Sequence, residues 1–78
     1  MTIGQLVQES PIKKLWLCRL SGIKPWDFSM FANSHRLLDE DKEEALKEVL
    51  VAQNCFSRRE IESAFLETKK NIELNNSL

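Results

Sequence analysis

The sequence predicts an all-α domain, a small bundle of about five helices built around a central helix, tight turn and second helix. Three observations predict it. The 78 residues include only two Gly and two Pro and no Tyr, which suits helices joined by short loops. Two capping-box patterns, Thr2 with Gln5 and Ser57 with Glu60, each precede an apolar run at helical spacing. Gly22 lies between two apolar runs with Pro25 shortly after it, which closes one helix and opens the next.

Taken in order, the first helix spans Ile3 to Glu9, with Ile3, Leu6 and Val7 on one face. Ser10-Pro11 then reads as an N-cap followed by Pro at the first helical position, so the second helix is expected from Pro11 to Leu20. Its apolar residues are Ile12, Leu15, Trp16, Leu17, Cys18 and Leu20, more than one stripe holds. Leu15, Trp16 and Leu20 either pack beneath the fifth helix or form a patch for another protein. The third helix runs from Pro25 to about Asn33. Phe28 and Phe31 point inward with Ile23, and Trp26, Asp27, Ser29, Met30 and Asn33 are left outside.

Ser34-His35-Arg36 is a short polar connection. Asp39 caps a fourth helix whose first turn holds Glu40 and Asp41, favourable at the positive end of the helix dipole. Ala45, Leu46, Val49 and Leu50 form its inner face, Lys42, Glu43, Glu44, Lys47 and Glu48 its solvated face, and Asn54 its stop. The fifth helix starts at Ser57-Arg58-Arg59-Glu60 and spans residues 57–74, with an apolar seam of Ile61, Phe65, Thr68 and Ile72. Two explanations of that narrow seam stand side by side: packing on the other helices, or a dimer seam. Asn71 to Leu78 is polar and is expected to fray. The whole chain, 1–78, forms one domain, with four core helices within 2–54.

The composition is 42% hydrophobic and 29% charged, a globular balance rather than a disordered one. The net charge of −1 carries no general nucleic-acid signature, but its distribution is uneven. Residues 1–38 hold five basic side chains (Lys13, Lys14, Arg19, Lys24, Arg36) against Glu9 and Asp27, a net +3. Residues 39–78 hold six basic and ten acidic side chains, a net −4. A basic half beside an acidic half provides one anion-facing surface, although scattered surface charge gives the same count.

Cys18 and Cys55 form no C-x-x-C pair, and no secretory leader or apolar run of membrane-spanning length is present, so a reducing cytosol is the expected compartment. His35 is the sole histidine, which argues against a zinc site, and no glycine-rich phosphate loop occurs. Asp39-Glu40-Asp41 lacks the alternating ligands of a calcium loop and reads as helix capping. Cys18 beside Arg19 reads as a small packing residue rather than an activated thiol. No catalytic constellation stands out and no cofactor is expected, so the chain reads as a non-enzyme.

From Lys14 to Leu50 the sequence resembles the lambda-repressor/Cro-like (Xre-type) helix-turn-helix family. Leu17-Cys18 stands where that family has Leu-Ala, and Ser21-Gly22-Ile23 where it has Thr-Gly-Ile. Phe28-Ser29 stands where it has an aliphatic residue and Ser opening the recognition helix, Phe31 takes the next buried position, and Asn33-Ser34-His35-Arg36 stands where it has Asn-Gly and two basic residues. Ala45-Leu46 and Val49-Leu50 match the apolar positions of the following helix.

The resemblance implies a third helix that enters the major groove of double-stranded DNA. It also implies a small repressor of phage or mobile-element type, acting as a dimer on a palindromic site. Lys13 and Lys14 would then reach phosphate. Lys24, Trp26, Asp27, Ser29, Met30 and Asn33 would face base edges or the groove wall, and His35 and Arg36 the neighbouring backbone. Asn33 would pair with adenine and Ser29 would contact several bases. Departures from the family's basic outer face are Met30 and Trp26-Asp27, and Asp27 opposes phosphate unless it accepts from cytosine. These departures motivate a second expectation, a helix-turn-helix scaffold reused as a protein-binding inhibitor or adaptor such as a phage anti-defence factor. Trp26, Met30, Trp16 and Leu15 would be its anchors.

Overall fold

In the computed structural model, which describes residues 1–76, the chain folds as α1 (Ile3–Glu9), α2 (Lys14–Ser21), α3 (Pro25–Ala32), α4 (Glu40–Ala52) and α5 (Arg58–Asn76). The architecture is all-helical, with no strand among the described residues. Both capping boxes form. The Gln5 amide donates to Thr2 Oγ1 at 3.2 Å while Gln5 Oε1 accepts from the Thr2 amide at 2.9 Å. The Glu60 amide donates to Ser57 Oγ at 3.1 Å and its carboxylate accepts from the Ser57 amide at 3.3 Å.

Gly22 closes α2 in the left-handed conformation, φ 70°, and the Ile23 amide reaches back to the Cys18 carbonyl at 3.0 Å. This six-to-one bond shares the Cys18 carbonyl with the Gly22 amide, and it turns Ile23 into the core. Pro25 then opens α3 at a position where its missing N–H costs nothing. From α4, Lys42 Nζ donates to the Gly22 carbonyl at 2.7 Å and ties the turn down from outside.

Every helix contributes to one core. It contains Ile3 and Leu6 of α1, Leu17 and Cys18 of α2, Phe28 and Phe31 of α3, Leu46 and Leu50 of α4, and Ile61, Ala64, Phe65 and Ile72 of α5. The rings of Phe31 and Phe65 meet at 5.7 Å between centroids, tilted by 38°. Lys47 Nζ sits 5.4 Å from the Phe65 centroid, so this half-buried lysine covers the core edge rather than standing in solvent. Glu43 is half-buried too and pairs with Lys69 at 3.1 Å.

Two expectations are corrected and two alternatives are decided. The second helix starts at Lys14, not Pro11. Ser10 is used up by the preceding helix: its hydroxyl donates to the Val7 carbonyl at 2.8 Å and accepts from the Ile12 amide at 3.2 Å. Leu15, Trp16 and Leu20 do not lie beneath α5, whose main neighbours are α1, α3 and α4; they are 68%, 51% and 47% exposed. Ile61, Phe65, Thr68 and Ile72 are buried inside this chain, so packing, not a dimer seam, accounts for their spacing. Helix α5 also continues to Asn76 instead of fraying from Asn71, because Ile72 is buried and Asn75 Nδ2 donates to the Ser34 carbonyl at 2.8 Å. The rest of that expectation, on residues 77–78, lies outside the described residues.

Candidate nucleic-acid interface

The inward pair Phe28 and Phe31 fixes how α3 is rotated. At 100° per residue, burying these two leaves Trp26 and Asn33 at the centre of the outward face, flanked by Ser29 on one side and Met30 on the other. Trp26 and Asn33 are exposed, and Ser29 and Met30 are half-buried. The Met30 carbonyl accepts from the amides of His35 and Arg36, at 2.8 and 3.2 Å, and so holds the exposed His35-Arg36 pair against the end of α3.

Two grooves border this face. One is lined by Gly4, Gln8, Lys14, Ser29, Ala32 and Asn33, with Val7 and Phe28 at its floor. Across it, the Lys14 ammonium donates to Ser29 Oγ, joining the first turn of α2 to the middle of α3. Accepting from Lys14 leaves the serine's own hydroxyl proton to point outward as a donor. The second groove is lined by Lys24, Asp27, Arg36, Asp39 and Lys42 around the Gly22 turn. Three cations there outnumber two carboxylates, and Asp27 forms no ion pair among the described residues.

Of the ten residues expected to face DNA, the fold therefore gathers Lys14, Ser29 and Asn33 in one groove and Lys24, Asp27 and Arg36 in the other. Trp26 and Met30 belong to the ridge between them. Lys13 is exposed at the N-cap of α2, and His35 is exposed beside Arg36. Asp27 sits among cations at the edge, not at the centre of the outward face.

Gln8 and Lys42 are further lining residues that the sequence pattern did not single out. The signal for Gln8 was Gly4, one turn before it. A Cβ on Gly4 would lie 2.6 Å from the Ala32 carbonyl oxygen, so the glycine lets α1 approach α3 and places Gln8 beside Asn33. Lys42 was masked by the acidic run before it.

Cys18 lies under α2, buried, and burial pushes its thiol above the ordinary value of 9.0 while the charge of Lys14 pulls weakly the other way. It packs within the core. No group of three or more His, Cys, Asp or Glu is placed to hold a metal ion among the described residues, and no described helix is long and apolar enough to cross a membrane. Comparison of the chain with protein-family models, with curated proteins and with solved structures returns no match.

Proposed function

We propose that the chain is a small DNA-binding regulator, not an enzyme, which reads the major groove with α3 and occludes a promoter. The carrying observation is that the Trp26, Ser29, Met30 and Asn33 ridge has cations on both sides, Lys14 on one and Lys24, Arg36 and Lys42 on the other. A convex ridge between two positively lined grooves matches a helix seated in a groove between two phosphate backbones. The resemblance to lambda-repressor/Cro-like proteins supports the same assignment, since the outward positions of α3 are the ones that family uses on bases.

In this account Lys14, Arg36 and Lys42 contact phosphate, and Lys24 and His35 extend that contact. Asn33 presents a carboxamide that pairs bidentately with adenine, and Ser29 donates to an acceptor on a base edge. Met30 packs on a thymine methyl, and Trp26 lies along the sugar wall. Two copies bind a palindromic site in the cytosol. Because Ile61, Phe65, Thr68 and Ile72 are buried within one copy, any contact between the copies is made elsewhere.

The test is retention of the protein on random-sequence duplex DNA across a salt series. Three or more phosphate contacts give a log–log slope of affinity against salt of about −3 or steeper. Absence of salt-sensitive retention at low ionic strength overturns the proposal.

A further inference from the structure

Leu15, Trp16 and Leu20 on the outward face of α2 have no role in reading DNA, yet they are large apolar side chains left open to solvent. Leu15, Trp16 and Leu20 are 68%, 51% and 47% exposed within one eight-residue helix. Trp16 also forms one wall of a groove completed by Pro11, Ile12 and Lys13 and, from the end of α4, Gln53 and Cys55. An apolar cleft beside an exposed tryptophan and two leucines has the composition of an interface hot spot.

The charge around it selects the occupant. No Asp or Glu occurs from Ser10 to Trp26, while Lys13 and Arg19 lie on or beside the patch and form no ion pair among the described residues. The cleft itself is lined by the cation Lys13 and by no carboxylate, and Arg19 adds a second cation on the same helix. DNA supplies the anion but nothing apolar to fill the cleft. A flat lipid surface supplies both but has no side chain to insert. A second copy does not match. The acidic row of α4, Glu40, Asp41, Glu44 and Glu48, has no large apolar side chain exposed within it, the surface around Leu66 and Leu74 on α5 mixes Glu62 and Glu73 with Arg59 and Lys70, and Leu37 adjoins Arg36.

We infer that the α2 face, Leu15, Trp16 and Leu20 with the Pro11–Cys55 groove, docks an acidic amphipathic helix of a different protein. The partner inserts one apolar side chain into the groove, lays neighbouring ones on Leu15 and Leu20, and sets its carboxylates against Lys13 and Arg19. The patch is separate from the α3 ridge, so one copy holds DNA and a protein partner together.

The test uses two synthetic peptides of roughly 18 residues, long enough to hold a helix, with leucines at i, i+3, i+4 and i+7. One carries Glu at its polar positions and the other Lys. Each is titrated into the isotopically labelled protein and followed by nuclear magnetic resonance. The Glu peptide is expected to bind at least about tenfold more tightly than the Lys peptide, with Trp16→Ala or Leu15→Ala each lowering its affinity by about tenfold. Shifts are expected at Pro11–Leu20 and Gln53–Cys55. Both side chains are half or more exposed, so these variants fold, and their unchanged core signals verify it. Equal affinity for the two peptides overturns the inference, as does lack of saturable binding or shifts confined to α3. Stronger response of Trp16 to phosphatidylglycerol vesicles than to the Glu peptide also overturns it, and so does self-association abolished by Leu15→Glu. None of these outcomes touches the DNA assignment, which rests on α3.

Discussion

The amide of Ile3 donates a 2.8 Å hydrogen bond to Oγ1 of Thr68, 65 residues further along, and the same hydroxyl donates to the Ala64 carbonyl at 2.8 Å. Both residues are fully buried. The first helix has no room for its open amide in water, so α5 supplies the acceptor from inside the core. Thr68→Val keeps the shape and leaves the Ile3 amide without a partner. It is expected to cost about 1–3 kcal/mol and to speed hydrogen exchange at Ile3. Unchanged stability with unchanged Ile3 protection would contradict the role given to this bond.

Gly4 is held by space. An added Cβ meets backbone, the Ala32 carbonyl oxygen at 2.6 Å, which has no flexible end to give way. Gly4→Ala is expected to lower stability by roughly 1–3 kcal/mol despite the ~1 kcal/mol helix-propensity gain of alanine. Thermal unfolding measures it, and a stabilised variant would show that α1 does not approach α3 as described.

Two left-handed residues make opposite predictions. At Gly22 a Cβ has room, its nearest atom being Lys42 Nζ at 3.6 Å, so the penalty of Gly22→Ala is conformational, about 1–2 kcal/mol. Ser34, φ 63°, already bears that penalty, and its contact with Asn75 goes through the backbone carbonyl. Ser34→Gly is therefore expected to stabilise by about 0.5–1 kcal/mol, less than the full penalty because glycine also loosens the unfolded chain. Denaturant midpoints of the pair should move in opposite directions.

The inner side of this fold was legible because burial imposes a period on the sequence. Leu17, Cys18, Phe28, Phe31, Leu46 and Leu50 are buried where the pattern places them. What was not legible turned on competition for a single group. Ser10 suits either helix end, and only the bonded structure shows that Val7 claims its hydroxyl. The narrow stripe of α5 is the same whether its cover comes from α1 and α3 or from another copy. On the outward side, Ser29 and Asn33 were named from sequence, but Gln8 and Lys42 join their surroundings only through long-range packing.

The two cysteines differ in environment, and alkylation should separate them. Cys55 is exposed and reacts first; Cys18 is buried and reacts only as fast as the protein opens. Burial raises the Cys18 thiol, so the folded state holds its proton more tightly than the unfolded one. Its contribution to stability is complete below the ordinary value of 9.0 and is lost as pH rises through the raised folded value. Cys18→Ala should flatten this alkaline decline, whereas Cys55→Ala should leave it. An equal decline in both variants would contradict the assignment.

The reading role of α3 is tested most directly by selecting bound sites from a randomised duplex pool with the native chain, with Asn33→Ala and with Arg36→Ala. The native chain is expected to yield a defined motif containing an adenine that Asn33→Ala no longer requires, at a cost of about 1–3 kcal/mol on the native site and with an unchanged salt slope. Arg36→Ala should keep the motif, bind every sequence more weakly and reduce the slope by about one. A pool without enrichment, or a motif and affinity that Asn33→Ala leaves intact, would contradict the account.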